Sequence, residues 1–84
     1  MKENKINVDL IVPSIGLKYN VFIPVNKTVG EVITILNKVI NEMNSYFPIV
    51  NNLSLLDVME EKIYDIKTEI IKTDIKNGTI LALI

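Results

Sequence analysis

The 84-residue sequence contains no cysteine, histidine, tryptophan, arginine or glutamine. Without cysteine there is no disulfide, no zinc–thiolate site and no thiol nucleophile. Without histidine as well, the usual catalytic triads and transition-metal sites are excluded. We therefore expect no bound metal and no cofactor, and the sequence favours a protein that is not an enzyme.

The sequence also lacks an excess of charge of either sign and a long apolar run. Nine lysines and ten carboxylates are interspersed, for a net charge of −1. Nucleic-acid binders usually show a basic face, so no nucleic-acid partner is expected. No segment approaches the roughly 18–20 uncharged apolar residues that cross a bilayer, and the first nine residues lack the apolar core of a secretory signal. These features predict a cytoplasmic protein that does not insert directly into a membrane.

Two stretches near the start alternate between apolar and polar residues, which is the period of a half-buried strand. The first runs from Ile6 to Val12 and the second from Leu17 to Val25. Between them, residues 13–16 (PSIG) supply turn chemistry. The pattern predicts a β-hairpin.

An amphipathic helix is predicted after the hairpin. Thr28 and Glu31 have the spacing of a capping box, in which each side chain bonds the other residue's backbone N–H. From Val29 to Phe47 apolar residues recur at steps of three and four, with Asn37 placed on the polar side. Pro48 is expected to end this helix of four to five turns.

The remaining residues form short apolar runs separated by polar turns. They predict a strand over Leu53–Met59, a second over Ile63–Ile66, a connecting segment with room for one helical turn over Ile70–Ile75, and a final strand over Thr79–Ile84. The carboxylates of Asp57, Glu60 and Glu61 are interpreted as a solvated turn, because no further ligand is spaced to close a cation site.

The order is that of one α+β domain over residues 1–84, with residues 1–5 as a disordered tail. We expect a ββαββ arrangement in which one amphipathic helix packs across a mixed sheet of four or five strands. The decisive structural test of this predicted fold is whether the first and last strands run parallel, side by side.

The chain resembles the ubiquitin-like β-grasp proteins over residues 5–84. The likeness comprises the hairpin, the helix entry at residues 28–32 (TVGEV), the short middle strands and the closing segment 75–84 (IKNGTILALI). Within that superfamily it is nearest to the YukD/EsaB-type proteins of type VII (WXG100, ESX-like) secretion systems in Gram-positive bacteria. Thr73 departs from that pattern, since related sequences often have Tyr there. The resemblance implies a non-catalytic accessory protein that contacts the secretion machinery at the membrane.

Two alternatives remain open at this point. Ubiquitin-like modifiers and sulfur carriers need a flexible Gly-Gly terminus, whereas this sequence ends at Leu83-Ile84. That function would require a longer native chain. A structural module that forms homodimers or larger homo-oligomers is the second alternative.

A partner-binding patch is predicted on the outer face of the sheet. If Leu81 and Leu83 point at the helix, Ala82 and Ile84 must point away from it. By the same alternation we expect Leu56 to join them, and Ile15 at the hairpin tip to lie nearby. The resemblance implies partner docking through this patch, while self-association or an exposure without function are the alternatives.

Overall fold

The computed structural model describes residues 4–84. Within them the strands are β1 (Lys5–Val12), β2 (Leu17–Pro24), β3 (Leu55–Asp57), β4 (Lys62–Ile63) and β5 (Ile80–Leu83), and the α-helix is α1 (Val29–Met43). Single 3₁₀ turns occur at Pro13–Ile15 and Ile70–Lys72. The second of these is the helical turn expected between residues 70 and 75.

The strands form one mixed sheet in the order β2-β1-β5-β3-β4. β1 and β5 run parallel, with Leu10 beside Leu81, and every other neighbouring pair is antiparallel. The first and last strands therefore lie side by side in the same direction. The predicted α+β fold, with one helix and a mixed sheet, is confirmed.

The core fills the space between α1 and one face of the sheet, which we call the inner face. Strand alternation sends every second residue inward, and the helix contributes the stripe predicted from its spacing. The fully buried side chains are those of Val8, Leu10, Val12, Ile23, Val29, Val32, Ile40, Leu55, Ile70, Leu81 and Leu83.

The first turn of α1 has a partner for every backbone N–H that the helix itself leaves free. The predicted capping box is present: Glu31 Oε1 accepts from the Thr28 N–H at 2.9 Å, and Thr28 Oγ1 accepts from the Glu31 N–H at 3.1 Å. Val29 and Gly30 donate to the carbonyls of residues 68 and 66. A Cβ on Gly30 would lie 3.1 Å from the Ile66 oxygen, a tight contact that favours glycine at this position.

The helix ends at Met43, four residues before the predicted end, and Pro48 is not its terminator. Asn44 adopts extended backbone, and its side-chain oxygen accepts from the N–H of Tyr46 at 3.0 Å, which starts a turn. Phe47 is buried but reaches the core from the loop after the helix. Asparagine competes with helical backbone through such local bonds.

Asn37 does not lie on a solvent-facing side of α1, contrary to the sequence-based expectation. It is 2% exposed. Its Nδ2 donates to the Pro48 carbonyl at 2.9 Å, and its Oδ1 accepts from the Val50 N–H at 2.9 Å. The loop after the helix folds back over this face, so both the nitrogen and the oxygen of the buried amide have a hydrogen-bond partner.

β3 and β4 are shorter than predicted because a tight turn begins inside the expected strand. Asp57 Oδ1 accepts from the Glu60 N–H at 2.9 Å, and Glu61 takes a φ of 55°, a left-handed conformation that is uncommon for glutamate. At the other end of the chain, the expected disordered tail over residues 1–5 is wrong for Lys5, which opens β1. Residues 1–3 lie outside the described residues.

Candidate docking surface on the sheet

Four apolar side chains form a row across the outer face of the sheet, the face turned away from α1. Ala82 is in register with Ile11 of β1 on one side and with Leu56 of β3 on the other. Leu56 is in turn paired with Ile63 of β4. Since residues in register across adjacent strands share a face, the row spans four strands.

Ile80 and Ile84 extend this row along the strand direction of β5, because they lie two residues from Ala82 on either side. The six residues Ile11, Leu56, Ile63, Ile80, Ala82 and Ile84 are called the apolar half-face below. Ile63 is 64% and Ile84 49% exposed, whereas Ala82 is only 4% exposed. The small Ala82 side chain is covered by its neighbours, so the isoleucines supply most of the accessible apolar surface.

Of the four residues in the predicted patch, the structure brings three together. Leu56 and Ala82 are direct cross-strand neighbours, and Ile84 continues the same pairing by exchanging backbone hydrogen bonds with Ser54. Ile15 differs, because it lies in the 3₁₀ turn after β1 and packs against the buried core. The structure therefore groups Ile15 with the core rather than with the row.

Sequence reasoning missed Ile11, Ile63 and Ile80. Ile80 could have been found by extending the alternation of the last strand by two residues. Ile11 lies between two buried residues of β1, and only the parallel pairing of β1 with β5 places it beside Ala82. Ile63 joins the row only through the register of the β3–β4 hairpin.

The rest of the outer face, over β1 and β2, is mostly polar, although Phe22 of β2 is 67% exposed on it. Asn7 and Asn20 exchange two side-chain hydrogen bonds of 2.8 and 3.0 Å, and Asn20 Nδ2 also donates to Asp9 Oδ1 at 3.1 Å. We call Asn7, Asp9, Lys18 and Asn20 the polar half-face. The side chains of Asn7, Asn20 and Asp9 therefore have hydrogen-bond partners within the domain itself.

A polar cluster, buried at Asp57 and Tyr64 and exposed at Lys62 and Asp74, holds the β3–β4 hairpin against the rest of the domain. Asp57 is 6% exposed, which corrects its interpretation as part of a solvated turn. The Tyr64 hydroxyl lies 3.0 Å from Asp57 Oδ2 and 2.8 Å from Asp74 Oδ1, and its one proton serves one carboxylate at a time. Lys62 Nζ donates to Asp74 Oδ2 at 2.7 Å.

The charges of this cluster follow from these contacts. Burial raises the pKa of the Tyr64 phenol, and the carboxylates of Asp74 and Asp57 raise it further. The hydrogen bond with Asp74 raises the pKa of the Lys62 ammonium. The hydrogen bonds from Lys62 and Tyr64 lower the pKa of Asp74. The phenol therefore stays protonated and the lysine stays charged at neutral pH.

The remaining chemistry of the described chain is limited. Across residues 4–84, no three carboxylate, histidine or cysteine side chains are grouped so that they could hold a metal ion. The helix in that range is not long and apolar enough to cross a membrane. What the outer face offers is an apolar surface beside a polar one, which suits contact with another macromolecule.

Comparison with solved structures identifies the architecture. A chain of the "MycP5-free ESX-5 inner membrane complex, State II" superposes with a TM-score of 0.78 at 16% identity, covering 98% of this chain and 21% of that one. The "Ubiquitin-like domain of the mycobacterium tuberculosis type VII secretion system protein ECCD1" superposes with a TM-score of 0.75 at 10% identity, covering 98% and 99%. The fold is the ubiquitin-like β-grasp.

The β-grasp is also shared with proteins of other kinds. A chain from "Molecular Mimicry of SUMO promotes DNA repair" superposes with a TM-score of 0.72 at 15% identity, covering all of this chain and 95% of that one. No protein-family model and no curated protein sequence matches the chain. Our chain spans about a fifth of the length of the ESX-5 complex chain. At these identities the likeness establishes the β-grasp fold, and function must be argued from the surface.

Proposed function

We propose that this β-grasp domain is a non-catalytic protein-interaction module whose docking surface is the apolar half-face. The observation that carries the proposal is the apolar row Ile11–Ala82–Leu56–Ile63 on the outer face of the sheet, in which Ile63 is 64% exposed and the neighbouring Ile84 is 49% exposed. The helix already covers the inner face, so the row is not needed to build the core.

The surface suits a partner with a complementary apolar patch. Burying the exposed isoleucines removes apolar area from water, which is the main favourable contribution to such contacts. Asp9 and Lys18 lie beside the row and supply a polar rim of both charge signs. The cluster of Asp57, Tyr64 and Asp74 keeps the β3–β4 side of the row in place before binding, which limits the entropy lost on docking.

We further propose that the partner belongs to a type VII secretion system and that the domain is a cytosolic accessory component of it. Two lines support this assignment: the likeness of the sequence to YukD/EsaB-type proteins, and the superposition on a chain of the ESX-5 inner membrane complex and on the ubiquitin-like domain of EccD1. The location in the cytosol follows from the expectation that no segment crosses or enters the membrane.

The test compares two isoleucines of equal exposure. Ile63 is 64% exposed within the apolar half-face, while Ile71 is 66% exposed in the 3₁₀ turn at residues 70–72, beside Val25. We expect Ile63→Asp to lose pull-down of secretion-machinery components from the native host, and Ile71→Asp to retain it. Leu56→Asp and Ile84→Asp should behave like Ile63→Asp while their circular dichroism remains that of the folded domain.

Equal capture by Ile63→Asp and Ile71→Asp would overturn the docking surface. Capture of proteins unrelated to secretion, lost specifically in Ile63→Asp, would keep the surface and overturn its assignment to a type VII system. Light scattering of the same variants distinguishes both outcomes from self-association through the apolar half-face.

A further inference from the structure

The two edges of the sheet are unequal. β4 at one edge is two residues long, whereas β2 at the other edge is an eight-residue strand. A long strand edge presents a row of unpaired N–H and C=O groups and is a template for pairing with another strand. β2 is therefore the edge of this molecule with the greatest capacity to add a strand.

The register of the hairpin shows which groups of β2 are open. The Val25 N–H donates to the Asn4 carbonyl at 2.8 Å, in line with the Lys5–Pro24 pairing. Since hydrogen-bonded pairs alternate along an antiparallel ladder, the odd-numbered residues of β2 bond to β1. Lys18, Asn20 and Phe22 then direct both their N–H and C=O groups at the open edge.

We propose that β2 pairs with β2 of a second copy of this chain, antiparallel about a two-fold axis at Asn20. In this register Asn20 faces its own copy and Lys18 faces Phe22 of the second copy. All three open N–H groups then meet open carbonyls, giving six backbone hydrogen bonds per dimer by the ladder rule. Pro24, which has no N–H, falls opposite Gly16, beyond the segment 18–22 that supplies the six bonds.

Side-chain chemistry favours a second copy as the occupant and this register as the geometry. Phe22 is 67% exposed on the outer face, where its ring lies against the Lys18 side chain of the second copy. An ammonium over an aromatic face is attractive, and no like charges oppose each other along the strand. Shifting the two-fold axis to residue 21 would still satisfy the three open N–H groups, but it would place Lys18 opposite Pro24 and Phe22 opposite Asn20, so the contact between Lys18 and Phe22 would be lost.

The two-fold axis of such a pair is perpendicular to the sheet, so both outer faces point to the same side. Where the proposed docking function holds, the dimer would present two apolar half-faces to one partner assembly and gain avidity. The pairing itself does not depend on that function, because β2 and the apolar half-face share no residue.

Sedimentation of the full chain over a micromolar-to-millimolar series tests the proposal. We expect a reversible monomer–dimer equilibrium that Asn20→Pro weakens by at least about thirtyfold, since it removes two of the six bonds at the axis. The proline is compatible with the monomer because the N–H of residue 20 faces away from β1. Unchanged association in this variant would overturn the proposal.

A second variant keeps the test decisive if Asn20→Pro does not fold. Asn20→Lys places two ammonium groups together at the axis and should weaken the dimer about fivefold. In the monomer this lysine lies beside Asp9. Asn52→Lys is the matched control, because it makes the same substitution in an exposed loop away from β2, and it should leave the dimer unchanged.

Amide hydrogen exchange identifies the surface residue by residue. Dimerisation should protect the amides of Lys18, Asn20 and Phe22 as concentration rises, while their odd-numbered neighbours, already bonded to β1, change little. A monomer at all concentrations, protection centred on Ile63 and Ile84, or binding of an unrelated extended peptide with no self-association would each overturn the pairing.

Discussion

The two halves of the outer face of the sheet differ in the chemistry of the side chains that they expose. Over β1 and β2, the side chains of Asn7, Asp9 and Asn20 bond to one another. Over β5, β3 and β4, Ile63 and Ile84 remain exposed with no described element above them. The polar half-face is hydrogen bonded within itself, whereas the apolar half-face becomes more stable when it is covered. This difference is why we assign docking to the apolar half-face.

The largest expected change in stability comes from a pair of adjacent leucines, one in the folding core and one in the proposed docking surface. Leu55 is fully buried among the core residues, while Leu56 lies on the outer face. Leu55→Ala should lower the free energy of unfolding by about 2–5 kcal/mol, because it leaves a cavity. Leu56→Ala should lower it by about 1 kcal/mol, because only part of its surface is buried.

Urea denaturation of both variants measures the two losses. Equal losses would mean that the apolar half-face is an integral part of the folding core. In that case its exposure would no longer indicate a partner.

An intermediate effect is expected on the polar half-face. Asn7→Ala and Asn20→Ala should each cost about 1 kcal/mol of unfolding free energy, which is the usual net value of such hydrogen bonds. Because the two side chains bond to each other, the double variant should cost less than the sum of the single ones. Strictly additive losses in a double-mutant cycle would show that the pair is not formed in solution.

The smallest effect concerns the pH dependence of the hairpin that carries Ile63. The hydrogen bond from Lys62 lowers the pKa of Asp74 below its ordinary value of 3.8. The bonded carboxylate therefore stabilises the folded state above that pH, and this contribution is lost as pH falls through the lowered pKa. Asp74→Asn should accordingly show a smaller drop in stability between about pH 5 and about pH 2 than the unmodified chain.

Thermal melts across that range compare Asp74→Asn with Glu42→Gln, which removes an exposed carboxylate from α1. The control should keep the acid sensitivity of the unmodified chain. If both variants lose it equally, the effect comes from net charge and not from the Lys62–Asp74 pair.

Local patterns in the sequence predicted the hairpin, the capping box at Thr28 and Glu31, and the identity of most core residues. These features depend on interactions between near neighbours or on simple periodicity, so a single sequence carries them. The end of the helix was misjudged because the local turn at Asn44 stops it before Pro48 can act. Asn37 was misplaced because the loop that buries it comes from eleven and thirteen residues further along the chain.

The candidate site was predicted less completely than the fold. Alternation was enough to place Leu56, Ala82 and Ile84 on one face. It could not add Ile11, since that requires the pairing of strands almost seventy residues apart. Nor could it show that Ile15 turns into the core or that Asp57 is buried beneath Tyr64.

The amino-acid order by itself determined which segments become strands or helix, because side-chain period and capping chemistry act within a few residues. Only the tertiary structure decided which outward-facing residues meet, which backbone edge stays open and which polar groups are buried. Those outcomes depend on strand register and on long-range loop contacts, whose energies arise only when distant segments come together.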